Sequence, residues 1–454
     1  MCWHKLSGYV LLLSVTSSEM PGDNSVGAVA RTQRNGNGRV AQQGKGPRTR
    51  HPLGLIITAA LYGQKKADFS KFVVAGDSLS AGYQNSQLIE SGQVHGYANV
   101  IATQAGVSLK LPLLPPPGYP QISIEQNYAV VTGLTPIPRL NTDQTLDVAV
   151  PGFTVAALVL LPSSCPPDWT NPIEVMAAEI LNPPCTYPGP TELEEAAALK
   201  PTTAILWIGS NDVLFSLLFV DTPPTAVATF SNLYHLAATT MAGASKHLVV
   251  ANIPDVTLTA YLTSVPKLAA ILNLSVDMVE KKLGLHPDDM VTPYAFAAIQ
   301  AMGSSLKVLP DSGPQGPIVI RAATLSTIRA TVIEYNNAIA IEAAPNGASL
   351  VDIYSLINDL AANGAVVGGR TLTTDFMGGL FSLDGVHPTN TGYAIIANEF
   401  IKTMNWSLRA DIPYVSVDQV SKTDPLIFPE SDLGKHTGHV SVGMADGLRV
   451  LTRR

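Results

Sequence analysis

Charge is scarce in this chain of 454 residues, with Asp, Glu, Lys and Arg together making up 14% of it. An average soluble protein carries about 25%, so extensive burial or broad apolar surface is expected. The balance is acidic, at a net -7. Residues 1–51 hold seven bases (Lys5, Arg31, Arg34, Arg39, Lys45, Arg48, Arg50) against Glu19 and Asp23, which leaves 21 bases and 33 acids for the remainder. Phosphate binding needs clustered bases, and the body lacks them; a nucleic-acid partner is excluded. Long apolar runs are missing too. No segment approaches the ~20 residues that span a bilayer, so no stable membrane span is expected. There is no internal repeat, no G-x-S-x-G elbow, no H-E-x-x-H, no Walker A and no G-x-G-x-x-G.

Cysteine is rare, at three residues. Cys2 would be lost with any leader, leaving Cys165 and Cys185 either as a disulfide in a Pro-rich surface loop or as two unpaired buried thiols. Two stretches near the start resemble targeting sequence. Lys5 with the apolar run 9–15 has the right order but is short. Arg48-Thr-Arg-His followed by the apolar run 52–61 is the better leader, over about 48–66, and implies a secreted or periplasmic protein. Either translation starts nearer residue 47 or residues 1–46 are a dispensable extension. Residues 17–47, rich in Gly, Asn, Gln, Arg and Ser without apolar periodicity, are expected to be disordered.

From residue 70 the pattern changes. Near-continuous apolar runs at 72–75, 146–150, 204–208, 247–253 and 349–353 read as strands covered on both faces. Helical candidates lie at 226–244, 324–344 and 390–404. This order predicts an α/β domain over 70–410 with a parallel sheet. Two insertions interrupt it: 83–145, containing a Pro-rich loop at 111–120, and 255–323, holding two or three short amphipathic helices. Segments of that length build or cover a substrate pocket. Residues 1–69 read as leader and disordered segment. Residues 411–454 read as a C-terminal tail that wraps the surface or frays.

Four short blocks carry chemistry. Gly76-Asp77-Ser78-Leu79 ends the first strand, so Ser78 projects from the sheet's carboxyl edge at a helix start, where N–H groups are unpaired; helix capping is the ordinary alternative. Pro151-Gly152 follows the second strand and reads equally as a turn. Gly209-Ser210-Asn211-Asp212 follows the third, where Asn211 presents an amide or merely caps a helix. In Ser382-Leu-Asp384-Gly-Val-His387-Pro388, a carboxylate three residues from an imidazole can hold one ring nitrogen and leave the other as a base. Pro388 would open the next helix in its first turn. All four blocks fall at or beyond the carboxyl ends of strands, where open α/β sheets bind ligands.

These blocks, in this order over about 70–405, resemble the GDSL or SGNH hydrolase superfamily, named for the Ser, Gly, Asn and His found here as Ser78, Gly152, Asn211 and His387. The resemblance implies a three-layer flavodoxin-like α/β/α fold with strand order 2-1-3-4-5, interrupted by the two insertions. It also implies a serine-nucleophile esterase or lipase. Ser78 would attack, His387 serve as base and Asp384 orient it, with Ser78, Gly152 and Asn211 as oxyanion donors. No metal and no cofactor is required. The substrate would be a small-molecule, lipid or sugar ester, taken by a monomer. Carbohydrate O-acetyl esters and thioesters are alternatives, and a non-catalytic binding protein is disfavoured because all four groups are present. The apolar insertion around 258–285 points toward apolar acyl chains. His436 and His439 lack a third metal ligand and are expected in solvent, while His95, His235, His247 and His286 show no chemical partner.

Overall fold

The computed structural model describes residues 67–450, apart from 126–127, 134, 136, 142, 182–188 and 430–437. The leader candidates, Cys2, Cys185 and His436 therefore lie outside the described residues. The elements that build and support the site run in the order β1 (Phe72–Gly76), α1 (Ser78–Ala81), α2 (Tyr97–Gln104), α3 (Val155–Leu160), α4 (Glu192–Ala198), β2 (Thr203–Trp207), α5 (Asn211–Leu218) and α6 (Val227–Ala244), then β3 (His247–Ala251), α7 (Ala322–Ala343), β4 (Ser349–Val351), α8 (Asn390–Leu408) and α9 (Val442–Val450).

The four strands form one parallel sheet in the order β1-β2-β3-β4, with Val74 opposite Ile205, Ile205 opposite Val249, and Val249 opposite Ser349. The segment 146–150, expected as a further strand, lies along the free edge of β1 through Val74 N–H to Leu146 O (2.8 Å), Val148 N–H to Val74 O (2.9 Å) and Val150 N–H to Gly76 O (3.2 Å). It forms a single parallel bridge, between Val74 and Asp147. Asp147 accounts for part of this irregularity, because its Oδ1 takes the N–H of Ala149 at 3.2 Å and bends the chain locally.

Alternation along each strand sends side chains to opposite faces, and here both faces are buried. Val73, Ala75, Ala204, Leu206, Leu248 and Val250 enter one core with residues of α3, α4, α6 and α7. Phe72, Val74, Ile205, Trp207, Val249 and Ala251 enter another with α2 and α8. This is the three-layer α/β arrangement that near-continuous apolar strands require. In α8, Tyr393, Ile396, Ala397, Phe400, Ile401 and Met404 are buried, a stripe at helical spacing. Phe400 stacks on Tyr97 at 4.7 Å and meets Trp207 at 5.7 Å. Truncating such a ring costs about 3–5 kcal/mol.

The insertions are structured. The first carries α2 and an antiparallel hairpin, Gln121–Glu125 with Tyr128–Gly133. The second carries helices Val265–Leu272, Val276–Leu283 and Pro293–Met302. Its apolar residues Val265, Leu268, Ala269, Val279, Leu283 and Leu285 are buried in the core. Cys165 is disulfide-bonded; its expected partner, Cys185, lies outside the described residues. Among the described residues no helix is long and apolar enough to cross a membrane.

Candidate active site

Ser78 is the first residue of α1, placed by the abrupt end of β1. Gly76 is obligatory there, since a Cβ would stand 2.3 Å from Trp207 O on the neighbouring strand. Asp77 caps the helix, its Oδ1 accepting from Leu79 N–H at 3.0 Å, and Gly82 ends it in the left-handed conformation. With only four residues, α1 has almost no macrodipole; what it offers an oxyanion is local N–H groups. Beneath it, Ser80 Oγ and Tyr97 Oη are hydrogen-bonded at 2.9 Å.

The block at 382–388 closes over Ser78. Ser382 N–H donates to His387 O at 2.7 Å, and Gly385 N–H to Ser382 O at 2.9 Å. Gly385 sits at φ +75, where a Cβ would meet Val440 Cγ2 at 2.5 Å. Within this loop His387 Nε2 lies 2.8 Å from Ser78 Oγ and Nδ1 lies 3.0 Å from Asp384 Oδ2. A carboxylate only accepts, so Nδ1 carries the proton and Nε2 is left to accept from the Ser78 hydroxyl. Asp384 is wholly buried, His387 is 4% exposed and Ser78 7%. Pro388 precedes the helix instead of opening it. Thr389 is the N-cap of α8, its hydroxyl accepting from Gly392 N–H, and a Thr cap is the stronger start signal.

Burial alone would push the Asp384 carboxyl up. It is outweighed by the charge of His387 and by hydrogen bonds from the His387 ring and the N–H groups of His387 and Val386, which hold it below the ordinary carboxylate value. The sequence did not mark the residues opposite. Asn85 and Ser86 both adopt positive φ, 51° and 59°. There Ser86 N–H donates to Asp384 Oδ2 at 2.8 Å, Asn85 N–H to Ser382 Oγ at 3.1 Å, and Asn85 Oδ1 accepts from Leu383 N–H at 3.0 Å. Consecutive non-Gly residues in this region are costly, and here they clamp the loop that carries the acid.

Gly152 and Asn211 meet on the other side of Ser78. Val150-Pro-Gly-Phe153 is a turn closed by Phe153 N–H to Val150 O at 3.2 Å, with Gly152 at φ +84. Proline followed by a positive-φ glycine is what a type II turn demands. Asn211 begins α5 and donates through Nδ2 to Phe153 O at 2.9 Å, tying the turn to the third block and leaving its second amide hydrogen for a ligand. Gly209, at φ +123, admits the Phe230 ring, which a Cβ would meet at 2.8 Å. Asp212 Oδ2 accepts from Val155 N–H at 2.8 Å, and burial raises this carboxyl to about 6. Below the site Glu192, wholly buried at the start of α4, accepts from Gly76 N–H at 2.6 Å. Burial raises Glu192 well above the usual range. Nothing local in the sequence signalled it.

All five candidate residues are thus brought to the carboxyl edge of the sheet. A model of the GDSL-like Lipase/Acylhydrolase family matches residues 72–400. The chain belongs to the GDSL-like lipase/acylhydrolase family. That span takes in all four blocks and both insertions of this GDSL hydrolase, and stops short of α9. Among solved structures, LAE5, an alpha/beta hydrolase enzyme from the metagenome of Lake Arreo, Spain, aligns at 12% identity and TM-score 0.35, over 76% of this chain and 97% of that one. Axe2, an acetylxylan esterase from Geobacillus stearothermophilus, aligns at 14% and 0.35, over 75% and 96%. TesA aligns at 12% and 0.32, over 74% and 99%. No curated protein matches the chain. Among the described residues no group of three or more His, Cys, Asp or Glu is placed to hold a metal ion. His439, expected in solvent, stacks on Phe296 at 3.6 Å, while His235 and His286 find Glu342 and Asp289.

Proposed function

We propose that this GDSL hydrolase cleaves carboxylic esters through an acyl-enzyme on Ser78. The observation that carries the reading is the buried relay from Ser78 Oγ to His387 Nε2 (2.8 Å) and from Nδ1 to Asp384 Oδ2 (3.0 Å). Serine is a weak nucleophile until a base takes its proton. As Ser78 Oγ attacks the carbonyl carbon, His387 Nε2 receives that proton and Asp384 stabilises the imidazolium. The oxyanion is held by the N–H groups of Ser78 and Gly152 and the free amide hydrogen of Asn211. Collapse expels the alkoxide, which takes the proton from His387. Water, deprotonated by the same imidazole, then releases the acid from Ser78.

A cavity of about 50 Å³ lies beside Ser78 and His387. The disulfide at Cys165 supports an exported protein, since such bonds persist in oxidising compartments.

Hydrolysis of p-nitrophenyl butyrate by the full chain and by Ser78→Ala tests the mechanism. The variant is expected to lose at least about 10³-fold in turnover. A variant as active as the parent would remove Ser78 from the chemistry.

A further inference from the structure

A groove of about 1190 Å³ starts at Gly152 and Asn211 and runs away from Ser78 between α3 and α5. It is far larger than the cavity beside His387 and somewhat exceeds the usual size of sites that enclose whole ligands. The walls are mainly apolar, with Ala156, Ala157 and Leu160 from α3 and Phe215, Phe219 and Val220 from α5 and the turn after it, beside polar groups such as Thr154, Asp212 and Thr225. Leu160 is 63% and Val220 43% exposed, so the rim leaves large apolar side chains in water, where a ligand that covers them gains about 25 cal/mol per Å².

The far wall comes from the second insertion, through the hairpin Ser312–Gly313 and Gly316–Pro317. Gly316 lets it close. At φ +145 its Cα comes so near the end of α5 that a Cβ would stand 3.2 Å from Leu218 O and 3.3 Å from the Tyr294 ring. Arg449 of α9 reaches the same place, its guanidinium 5.1 Å from the centre of the Phe219 ring.

Which part of an ester belongs there follows from the tetrahedral intermediate, and so rests on the proposed Ser78 mechanism. Its carbon carries Ser78 Oγ, the oxyanion, the leaving oxygen and the acyl chain. The leaving oxygen must reach His387 Nε2 for its proton, and His387 lines the small cavity. The groove instead begins at Gly152 and Asn211, the latter shared with the small cavity, and has no part of His387 in its wall. We propose that the groove holds the acyl chain, that the substrates are esters of medium to long apolar acids, and that Ala156, Ala157 and the 312–317 hairpin set the chain length.

The test compares the full chain with Ala156→Trp on two substrate series: p-nitrophenyl esters from acetate to palmitate, and alkyl acetates from ethyl to octyl. In the parent, kcat/KM is expected to rise from acetate to octanoate. Ala156→Trp is expected to lose about tenfold or more on octanoate while acetate changes less than about twofold, since a blocked pocket affects only the ligand that enters it. Leu160→Glu, a change at an exposed position, is expected to shift the profile the same way and decides the matter if Ala156→Trp does not fold. Loss on octyl acetate with long acyl esters spared would place the alcohol in the groove and overturn the proposal. An unchanged profile in both variants, with the parent active, would overturn it and leave the Ser78 mechanism standing. A parent that hydrolyses no member of either series would overturn both.

Discussion

Three carboxylates, all fully or almost fully buried, are shifted in opposite directions by the donors each receives and, for Asp384, by the charge of His387. Asp384 takes N–H groups from Ser86, Val386 and His387 as well as the His387 ring. Asp77 takes one N–H, from Leu79, and Asp147 takes one, from Ala149. Burial therefore wins for the last two, raising Asp77 to about 7 and Asp147 to about 8, and loses for Asp384. Between the ordinary value of 3.8 and about 8 the unfolded chain has released the Asp147 proton while the folded protein retains it. Raised carboxyls of this kind contribute stability that is fully present below 3.8 and is lost as pH climbs through the folded value. The melting temperature is expected to fall from pH 4 to pH 8. Asp147→Asn keeps the Oδ1 acceptor but cannot ionise, so its profile is expected to be flatter over that window. Parallel profiles would show that Asp147 already ionises in the folded state.

At the scale of elements, α9 does more than finish the chain. Ser86 Oγ donates to Met444 O at 2.8 Å while Ser86 N–H holds Asp384, so α9 braces the residue that steadies the acid. Gly447 makes the approach possible, since a Cβ there would stand 2.7 Å from Ser86 Cβ and 3.1 Å from Ile122 Cδ1. Gly447→Ala is expected to force the two apart at a cost of about 1–3 kcal/mol, lowering kcat on p-nitrophenyl butyrate several-fold with KM little changed. Urea unfolding and steady-state kinetics on the same preparation check it. A variant with unchanged kcat but lowered stability would make α9 a purely structural prop. None of this was legible beforehand, because Ser86 and Asp384 are 298 residues apart and no local pattern marks either Ser86 or Gly447. The strands were legible, since a segment buried on both faces must be apolar throughout. So were α6, α7 and α8, whose apolar stripes repeat at helical spacing. Glu192 escaped for the same reason as Ser86, being 116 residues from the Gly76 N–H that it accepts.

Across the whole molecule the sequence was most informative where chemistry is local and least where packing is remote. Ser78, Gly152 and Asn211 stood out because each follows an apolar segment that composition reveals, and Asp384 and His387 because a carboxylate three residues from an imidazole is a local pattern. The apolar stretch around 258–285 supplies core residues, and burial in a core and contact with an acyl chain call for the same side chains, so composition cannot separate the two. The disulfide is another case that composition framed and the fold sharpens. Cys165 is disulfide-bonded and lies shortly before the helix Pro172–Leu181, whose Ile173 lines the groove. If its partner is Cys185, the bond closes a loop of about twenty residues around that helix and stabilises the fold by about 3 kcal/mol. Non-reducing peptide mapping is expected to recover a single peptide pair joining Cys165 to Cys185. Dithiothreitol is expected to lower the melting temperature and, by loosening the wall at Ile173, to reduce octanoate hydrolysis more than acetate hydrolysis. Recovery of Cys165 linked to Cys2 would move the bond to a different loop, and equal losses on both esters would detach the disulfide from the groove.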